Sequence, residues 1–348
     1  MQHVAYAMRS KLSMSDDWRR WIAENLMLNI PPEAVVGTLV NNGYSQQMAQ
    51  QEVMAAMESP YLTGARQSLE RLQNRLRKRE WVLDIYRKLN QQRPGNNMIE
   101  RRHKLTRDEF YQQYYFANRP VIITGMMEDW PAMQKWNFDY FRQHFGDREV
   151  EVQTGRNQDA QYEINCTQHK QPMRFADYVN MVEGAGKTND FYMTANNSSQ
   201  NKTALRDLWA DIRVIPEYLN TQSPDDGFFW FGPAGTLTPF HHDLTNNFMA
   251  QVMGSKRVLL VPACEVANMY NHLHCFTEVD GGAIDYARFP QMRHAQVLEC
   301  TLSPGEILFL PVGCWHYVEG LEPSVTMSFI NFQPDNDYAS FYSTYHQL

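Results

Sequence analysis

The sequence predicts a mainly β protein with α-helical structure ahead of it, on three observations. Apolar and alternating stretches such as Leu302-Ser-Pro-Gly-Glu-Ile-Leu-Phe-Leu-Pro311 and Val325-Thr-Met-Ser-Phe-Ile-Asn-Phe332 read as strands in the C-terminal half. The first hundred residues instead carry helical periodicity, and Arg93-Pro-Gly-Asn-Asn97 separates the two regions as a linker. Finally, two strings far apart, Thr238-Pro-Phe-His-His-Asp243 and Pro311-Val-Gly-Cys-Trp-His316, put metal-binding residue types on strand-like segments. The expected division is a helical accessory region, 1–95, and a catalytic domain, 96–348.

The helices come first. Asp16-Asp17 opens an amphipathic helix with Trp18, Trp21, Ile22 and Leu26 on one stripe, stopping near Asn29 before Pro31-Pro32. Pro31 to Asn42 reads as a second helix ended by Gly43, and Ser45 to Met57 as a third with Ser45 as its N-cap. Around Asn41-Asn-Gly-Tyr-Ser45 this pattern resembles a small bundle of the ubiquitin-associated type. A long helix follows from about Pro60 to Gln92, with Leu69, Leu72, Leu76, Val82, Leu83 and Leu89 as its apolar positions. An exposed apolar stripe of that length must find cover, on the catalytic domain or on a second copy.

The two strings carry the chemistry. In a strand, residues i and i+2 share a face, so His241 and Asp243 converge while His242 points away into the scaffold. His316, delivered by a turn after an apolar strand, adds a second imidazole, and Val325–Phe332 is expected to return beside it. Two imidazoles and one carboxylate on one face of an octahedron are the ligand set of non-heme Fe(II) oxygenases.

The chain from about Arg119 to Pro334 resembles the JmjC-type cupins, the double-stranded β-helix of 2-oxoglutarate-dependent oxygenases. Within that family it is most similar to the asparaginyl hydroxylase that inhibits hypoxia-inducible factor and its bacterial cupin-like relatives. The resemblance rests on Asn118-Arg-Pro-Val-Ile-Ile-Thr-Gly125 with Trp130-Pro131, then Trp230-Phe-Gly-Pro-Ala-Gly235 and Thr238–Asp243. It continues through Asn247-Phe-Met-Ala-Gln-Val-Met-Gly-Ser-Lys-Arg257 and Pro311–His316 to Asn331-Phe332. It implies a cupin/jelly-roll core, with Fe(II) held by His241, Asp243 and His316, and 2-oxoglutarate and O2 as co-substrates. It further implies that Lys256, Thr238 and Tyr192 bind the distal carboxylate of 2-oxoglutarate, and that Asn247 and Asn331 lie around the iron-bound one. Arg257 is left at the surface. Relatives often dimerise through helices appended to the barrel. Because only 14 residues follow Pro334, the N-terminal helices are the expected interface of a homodimer.

Composition agrees with this layout. A length of 348 residues suits roughly two domains, and 43% hydrophobic content suits a globular core. An aromatic content of 13% is expected to fill the interior of a wide barrel. Five cysteines without a Cys-x-x-Cys pair fit reduced thiols. The sequence has neither a signal peptide nor a membrane-length apolar run, so a cytoplasmic protein with no membrane partner is expected. Residues 61–110 hold 13 Lys/Arg against 6 Asp/Glu, a net +7 in a chain of net −7. That segment is either a solvated helix face or a surface for RNA or an acidic protein.

The expected function is hydroxylation of a protein or peptide side chain, with succinate and CO2 as co-products. Alternatives are a tRNA-modifying hydroxylase, a tailoring hydroxylase of small molecules or ribosomal peptides, a lysine demethylase, and a non-catalytic ligand-binding cupin.

Overall fold

The computed structural model describes residues 13–223 and 226–348. It contains two compact units, the first ending at Asp84 and the second beginning at Ile85.

The first unit contains helices α1 (Asp16–Met27), α2 (Pro32–Asn41) and α3 (Gln46–Glu58), and most of α4 (Pro60–Gln92). Ser15 and Ser45 cap α1 and α3, their hydroxyls accepting from the Trp18 and Met48 amides at 3.4 and 3.2 Å. Ile22, Leu26, Val35, Leu39, Ala49 and Val53 form the core of the bundle, and Leu62 of α4 packs on it. Along α4 no residue is buried, and Leu72, Leu76 and Leu89 are more than half exposed. Leu62, Leu69, Leu76 and Leu83 recur there every seventh residue, the spacing of a coiled-coil seam.

The second unit holds the strands. They are β1 (Glu100–His103), β2 (Val121–Thr124), β3 (Glu149–Thr154), β4 (Lys170–Arg174), β5 (Phe191–Tyr192), β6 (Phe228–Gly232), β7 (Leu237–His242) and β8 (Asn247–Met253). There follow β9 (Lys256–Val261), β10 (Asn271–Leu273), β11 (Phe276–Thr277), β12 (Leu298–Leu302), β13 (Glu306–Leu310), β14 (Trp315–Gly320) and β15 (Ser324–Phe329). One sheet runs β1-β2-β13-β8-β15-β6, the other β10-β11-β7-β14-β9-β12, and a small third sheet runs β4-β3-β5.

From β6 to β9, and again from β12 to β15, each strand crosses to the opposite sheet, which makes the cupin core. The crossings also correct one expectation. β15 does not return beside the His316 strand; it pairs with β8 and β6 in the facing sheet. At the crossing from β8 to β9, Gly254 has φ 65°, and a Cβ there would lie 2.2 Å from the Pro323 carbonyl oxygen.

The inner faces of the two sheets meet in an aliphatic layer that includes Ile122, Met249, Leu308 and Leu310 from one side and Val258, Leu260 and Val318 from the other. Most of the aromatics lie elsewhere, contrary to the expectation that they fill the barrel, and only a few such as Phe228 and Trp230 face its interior cavity. Phe229, Phe231, Phe248, Phe309 and Phe329 point from the outer face of the first sheet into a layer with Phe110, Phe141, Phe175 and Tyr178. Helices Phe138–Phe145 and Phe175–Gly184 supply several of these rings. Two facing sheets about 10 Å apart leave room for branched aliphatic side chains between them, whereas the wider helix-on-sheet interface accepts rings. The segment between β9 and β12 covers the outer face of the second sheet, where Met269, Val279, Phe289 and Met292 pack on Phe240, Leu259, Trp315 and Tyr317. Among the described residues no helix is long and apolar enough to cross a membrane, and all five cysteines are free.

Candidate metal centre

A bulge in β7 aims the site. β7 pairs with β14 in the register His241↔His316 and Thr238↔Val318, so the step is three residues on β7 and two on β14. The extra residue breaks the alternation and puts Thr238 and His241 on the same inner face. Pro239 sits in the bulge, where its missing N–H costs no ladder bond, and its carbonyl accepts from His241 Nδ1 at 2.9 Å. His316 Nδ1 donates in the same way to the Cys314 carbonyl at 3.1 Å. A carbonyl can only accept, so both Nδ1 atoms carry a proton and Nε2 is the nitrogen each ring turns toward a metal.

Those nitrogens and the Asp243 carboxylate lie within 4.8 Å of one another. His241 Nε2 is 3.7 Å from one Asp243 oxygen and His316 Nε2 is 3.8 Å from the other. Burial and the adjacent His316 hold His241 below the ordinary imidazole range, so it stays neutral. Burial acts to raise the Asp243 carboxyl, but His316, His241 and the Asn247 side-chain N–H outweigh it and keep the group ionised. Asn247 Nδ2 donates to Asp243 at 3.3 Å. Two imidazoles and one carboxylate, gathered on one side of the space between them, suit Fe(II) with open positions. His242 turns outward, its ring 4.8 Å from that of Trp315.

The three ligands open into a cavity of about 380 Å³, lined also by Tyr192, Thr238, Asn247 and Lys256. Lys256 is 2% exposed, and its Nζ donates to the Tyr192 hydroxyl at 3.0 Å. Among the described residues no carboxylate pairs with it, and burial pushes its pKa down to about 7. Burial keeps the Tyr192 phenol protonated; having accepted from Lys256, it can still donate its own O–H. An unpaired buried ammonium beside a phenol and a threonine hydroxyl fits a carboxylate, so the residues present suit 2-oxoglutarate. Gly232 makes room for this phenol, since a Cβ there would lie 2.5 Å from the Tyr192 ring.

A family model for a cupin-like domain matches residues 107–338. The chain belongs to the cupin-like family. Among its relatives is the lysine-specific demethylase JMJ30 of Arabidopsis thaliana, 33% identical over 242 residues, 66% of this chain and 54% of that protein. Another is lysine-specific demethylase 8 of Xenopus tropicalis, 31% identical over 240 residues, 66% of this chain and 52% of that protein. A third is the human bifunctional peptidase and (3S)-lysyl hydroxylase JMJD7, 29% identical over 272 residues, 69% of this chain and 84% of that protein. The matched segment thus spans about half the length of the first two relatives. The match is to a JmjC/cupin domain of the Fe(II)/2-oxoglutarate oxygenase type.

In this cupin-like domain seven of the eight expected site residues meet in one cavity; Asn331 does not. The chain leaves the sheet after Phe329, and the Asn331 side chain turns to donate to the Asn220 carbonyl at 3.1 Å. Arg257 lies opposite Lys256 on β9 and pairs with Glu299 at 2.7 Å, as strand alternation predicts.

Sequence reasoning missed Trp230, Thr326 and Ser328, which also line the cavity. The Trp230 indole N–H donates to Ser328 Oγ at 2.8 Å. Thr326 and Ser328 continue from Ser324 at every second position of β15, with apolar residues between them, a period-two signal that was available. Glu163 and Phe276 also reach the cavity, from irregular or very short segments that carry no periodicity.

Proposed function

We propose that this protein is an Fe(II)- and 2-oxoglutarate-dependent oxygenase that hydroxylates a side chain of a protein or peptide. The observation that supports it most is one cavity holding both a His-Asp-His ligand set and a buried, unpaired lysine. Together these suit a metal and a dicarboxylate side by side. Bound Fe(II), with 2-oxoglutarate and O2, would supply the oxidation, converting C–H to C–OH with succinate and CO2 as co-products. His241, Asp243 and His316 hold the metal, and Asn247 orients the Asp243 carboxylate. Lys256, Tyr192 and Thr238 bind the distal carboxylate, while Met249, Leu310 and Val318 keep water from the reacting carbon.

Demethylation is the same oxidation at an N-methyl carbon followed by loss of formaldehyde, and two relatives carry that name. Hydroxylation is favoured by the named lysyl hydroxylase, which is matched over 84% of its length. Mass spectrometry of a modified substrate decides between them: gain of one oxygen supports hydroxylation, and loss of a methylene unit overturns it. Hydroxylation of RNA is the second reading, favoured by the net +7 of residues 61–110. It requires RNA binding that weakens steeply with salt.

A further inference from the structure

We propose that Arg156 is a positioning residue for the co-substrate site: its buried guanidinium holds the Tyr192 and Thr238 hydroxyls in place for a distal carboxylate that it does not itself touch. This deepens the oxygenase reading above and rests on it.

Arg156 opens the segment between β3 and β4, and its side chain is fully buried. Its backbone N–H donates to the Asp190 carbonyl at 3.1 Å, just ahead of β5 and Tyr192. Its Nη2 donates to the Leu237 carbonyl at 2.8 Å, the acceptor that directly precedes Thr238. The Leu237 amide is held as well, donating to Asn189 Oδ1 at 2.8 Å. One residue thus bridges β5 and β7, the two strands that carry the hydroxyls of the carboxylate site. Those strands do not pair with each other. β5 belongs to the small third sheet and β7 to the second sheet, so no ladder of hydrogen bonds between them sets the spacing of the two hydroxyls.

The guanidinium also lies against two rings, 4.4 Å from the Tyr162 centroid and 5.3 Å from the Tyr192 centroid, within cation–π range. At Tyr192 this has a chemical effect. Burial pushes the phenol up and the Arg156 charge pulls it back, which makes its O–H the better hydrogen-bond donor.

Packing alone does not call for an arginine here. Nε and Nη1 are buried with no acceptor, and Glu163 balances the charge from 3.8 Å, beyond hydrogen-bond reach. Unmet buried donors are destabilising, and well-packed apolar side chains often replace a buried ion pair without loss of stability. Nor does Arg156 line the metal cavity. What the guanidinium supplies is a field at the Tyr192 ring and a tie to the strand of Thr238.

The test is calorimetric binding of two 2-oxo acids of equal chain length to the full chain loaded with Mn(II). One is 2-oxoglutarate. The other is 2-oxopentanoate, which offers the metal the same 2-oxo acid group and lacks the distal carboxylate. Wild type should prefer 2-oxoglutarate. Arg156→Met should weaken 2-oxoglutarate about fivefold, the size of one lost hydrogen bond, and leave 2-oxopentanoate and Mn(II) within about twofold. In turnover the loss should appear in the 2-oxoglutarate KM, with kcat at saturation retained. Combination with Tyr192→Phe decides the route. Independent losses of about fivefold each multiply to about 25-fold, whereas an arginine acting through the phenol keeps the double variant below about tenfold. Equal weakening of both 2-oxo acids, or unchanged 2-oxoglutarate affinity in Arg156→Met, overturns the inference and leaves the oxygenase reading standing. A fully multiplicative double variant overturns it too. A wild type that binds the two 2-oxo acids equally removes the co-substrate site itself, and the inference with it. Should Arg156→Met fail to fold, Arg156→Lys keeps a charge opposite Glu163 but loses the planar fork and face, and the same selective loss is expected of it.

Discussion

Lys256→Met should push stability and co-substrate binding in opposite directions. The ammonium is 2% exposed, and burial takes its pKa from 10.5 to about 7. At ~1.4 kcal/mol per pH unit, a proton forced onto it below pH 7 costs the free protein up to about 5 kcal/mol. Relaxation and water entry reduce this in practice to about 2–4 kcal/mol. Between pH 7 and roughly 10.4 the unfolded chain binds the proton and the folded protein does not, so stability rises with pH across that window. Below pH 7 both states are protonated and the penalty is complete. The variant should therefore be more stable than wild type at pH 6, with the difference shrinking steadily above pH 7. Co-substrate binding behaves in the opposite way, because the carboxylate needs the ammonium. Losing a buried charge partner costs ~2–4 kcal/mol, or about 30- to 1000-fold in 2-oxoglutarate affinity. In wild type, binding above pH 7 requires proton uptake, so affinity should fall about tenfold per pH unit. Calorimetric titration of 2-oxoglutarate with Mn(II) present, at pH 6 to 9, and denaturant unfolding at the same pH values measure both. A variant less stable than wild type at pH 6, or one that binds 2-oxoglutarate within about threefold of wild type, would refute the assignment of Lys256.

Other expectations are simpler. His316→Ala should abolish 2-oxoglutarate turnover and weaken Mn(II) binding measured by electron paramagnetic resonance, and retained turnover would remove the ligand assignment. Tyr192→Phe loses one hydrogen bond of ~1 kcal/mol, about fivefold in 2-oxoglutarate affinity, with metal binding unchanged. Phe110→Ala opens the aromatic layer where its ring lies 4.6 Å from Tyr218 and 5.1 Å from Phe309. That should cost ~3–5 kcal/mol in denaturant unfolding, and a loss under ~1 kcal/mol would mean the layer relaxes around the gap. If a second copy covers the seven-residue leucine spacing of α4, light scattering should give a dimer mass that Leu72→Asp and Leu76→Asp reduce to a monomer. A monomeric wild type excludes it.

The sequence by itself determined whatever depends on local geometry. Period two put His241 with Asp243 and away from His242, and it separated Lys256 from Arg257, because successive side chains on a strand take opposite faces. Capping chemistry placed Ser45 at a helix start, since a serine hydroxyl reaches only the amides of the next turn. Thr238 was legible through the motif alone. The β7 bulge puts it three residues from His241, where simple alternation would put it on the wrong face. Other features were decided by the tertiary structure. Strand crossing sent β15 to the sheet opposite His316, and the width of the helix-on-sheet interface, which no single segment encodes, drew most of the aromatic rings out of the barrel. Asn331 carries the motif but not the placement, because β15 ends at Phe329 and Asn220, far away in sequence, takes its side chain. Glu163 lies between β3 and β4 with no periodicity to announce it. It reaches the cavity only because the chain brings it beside His241, and such a juxtaposition exists only once distant segments have packed.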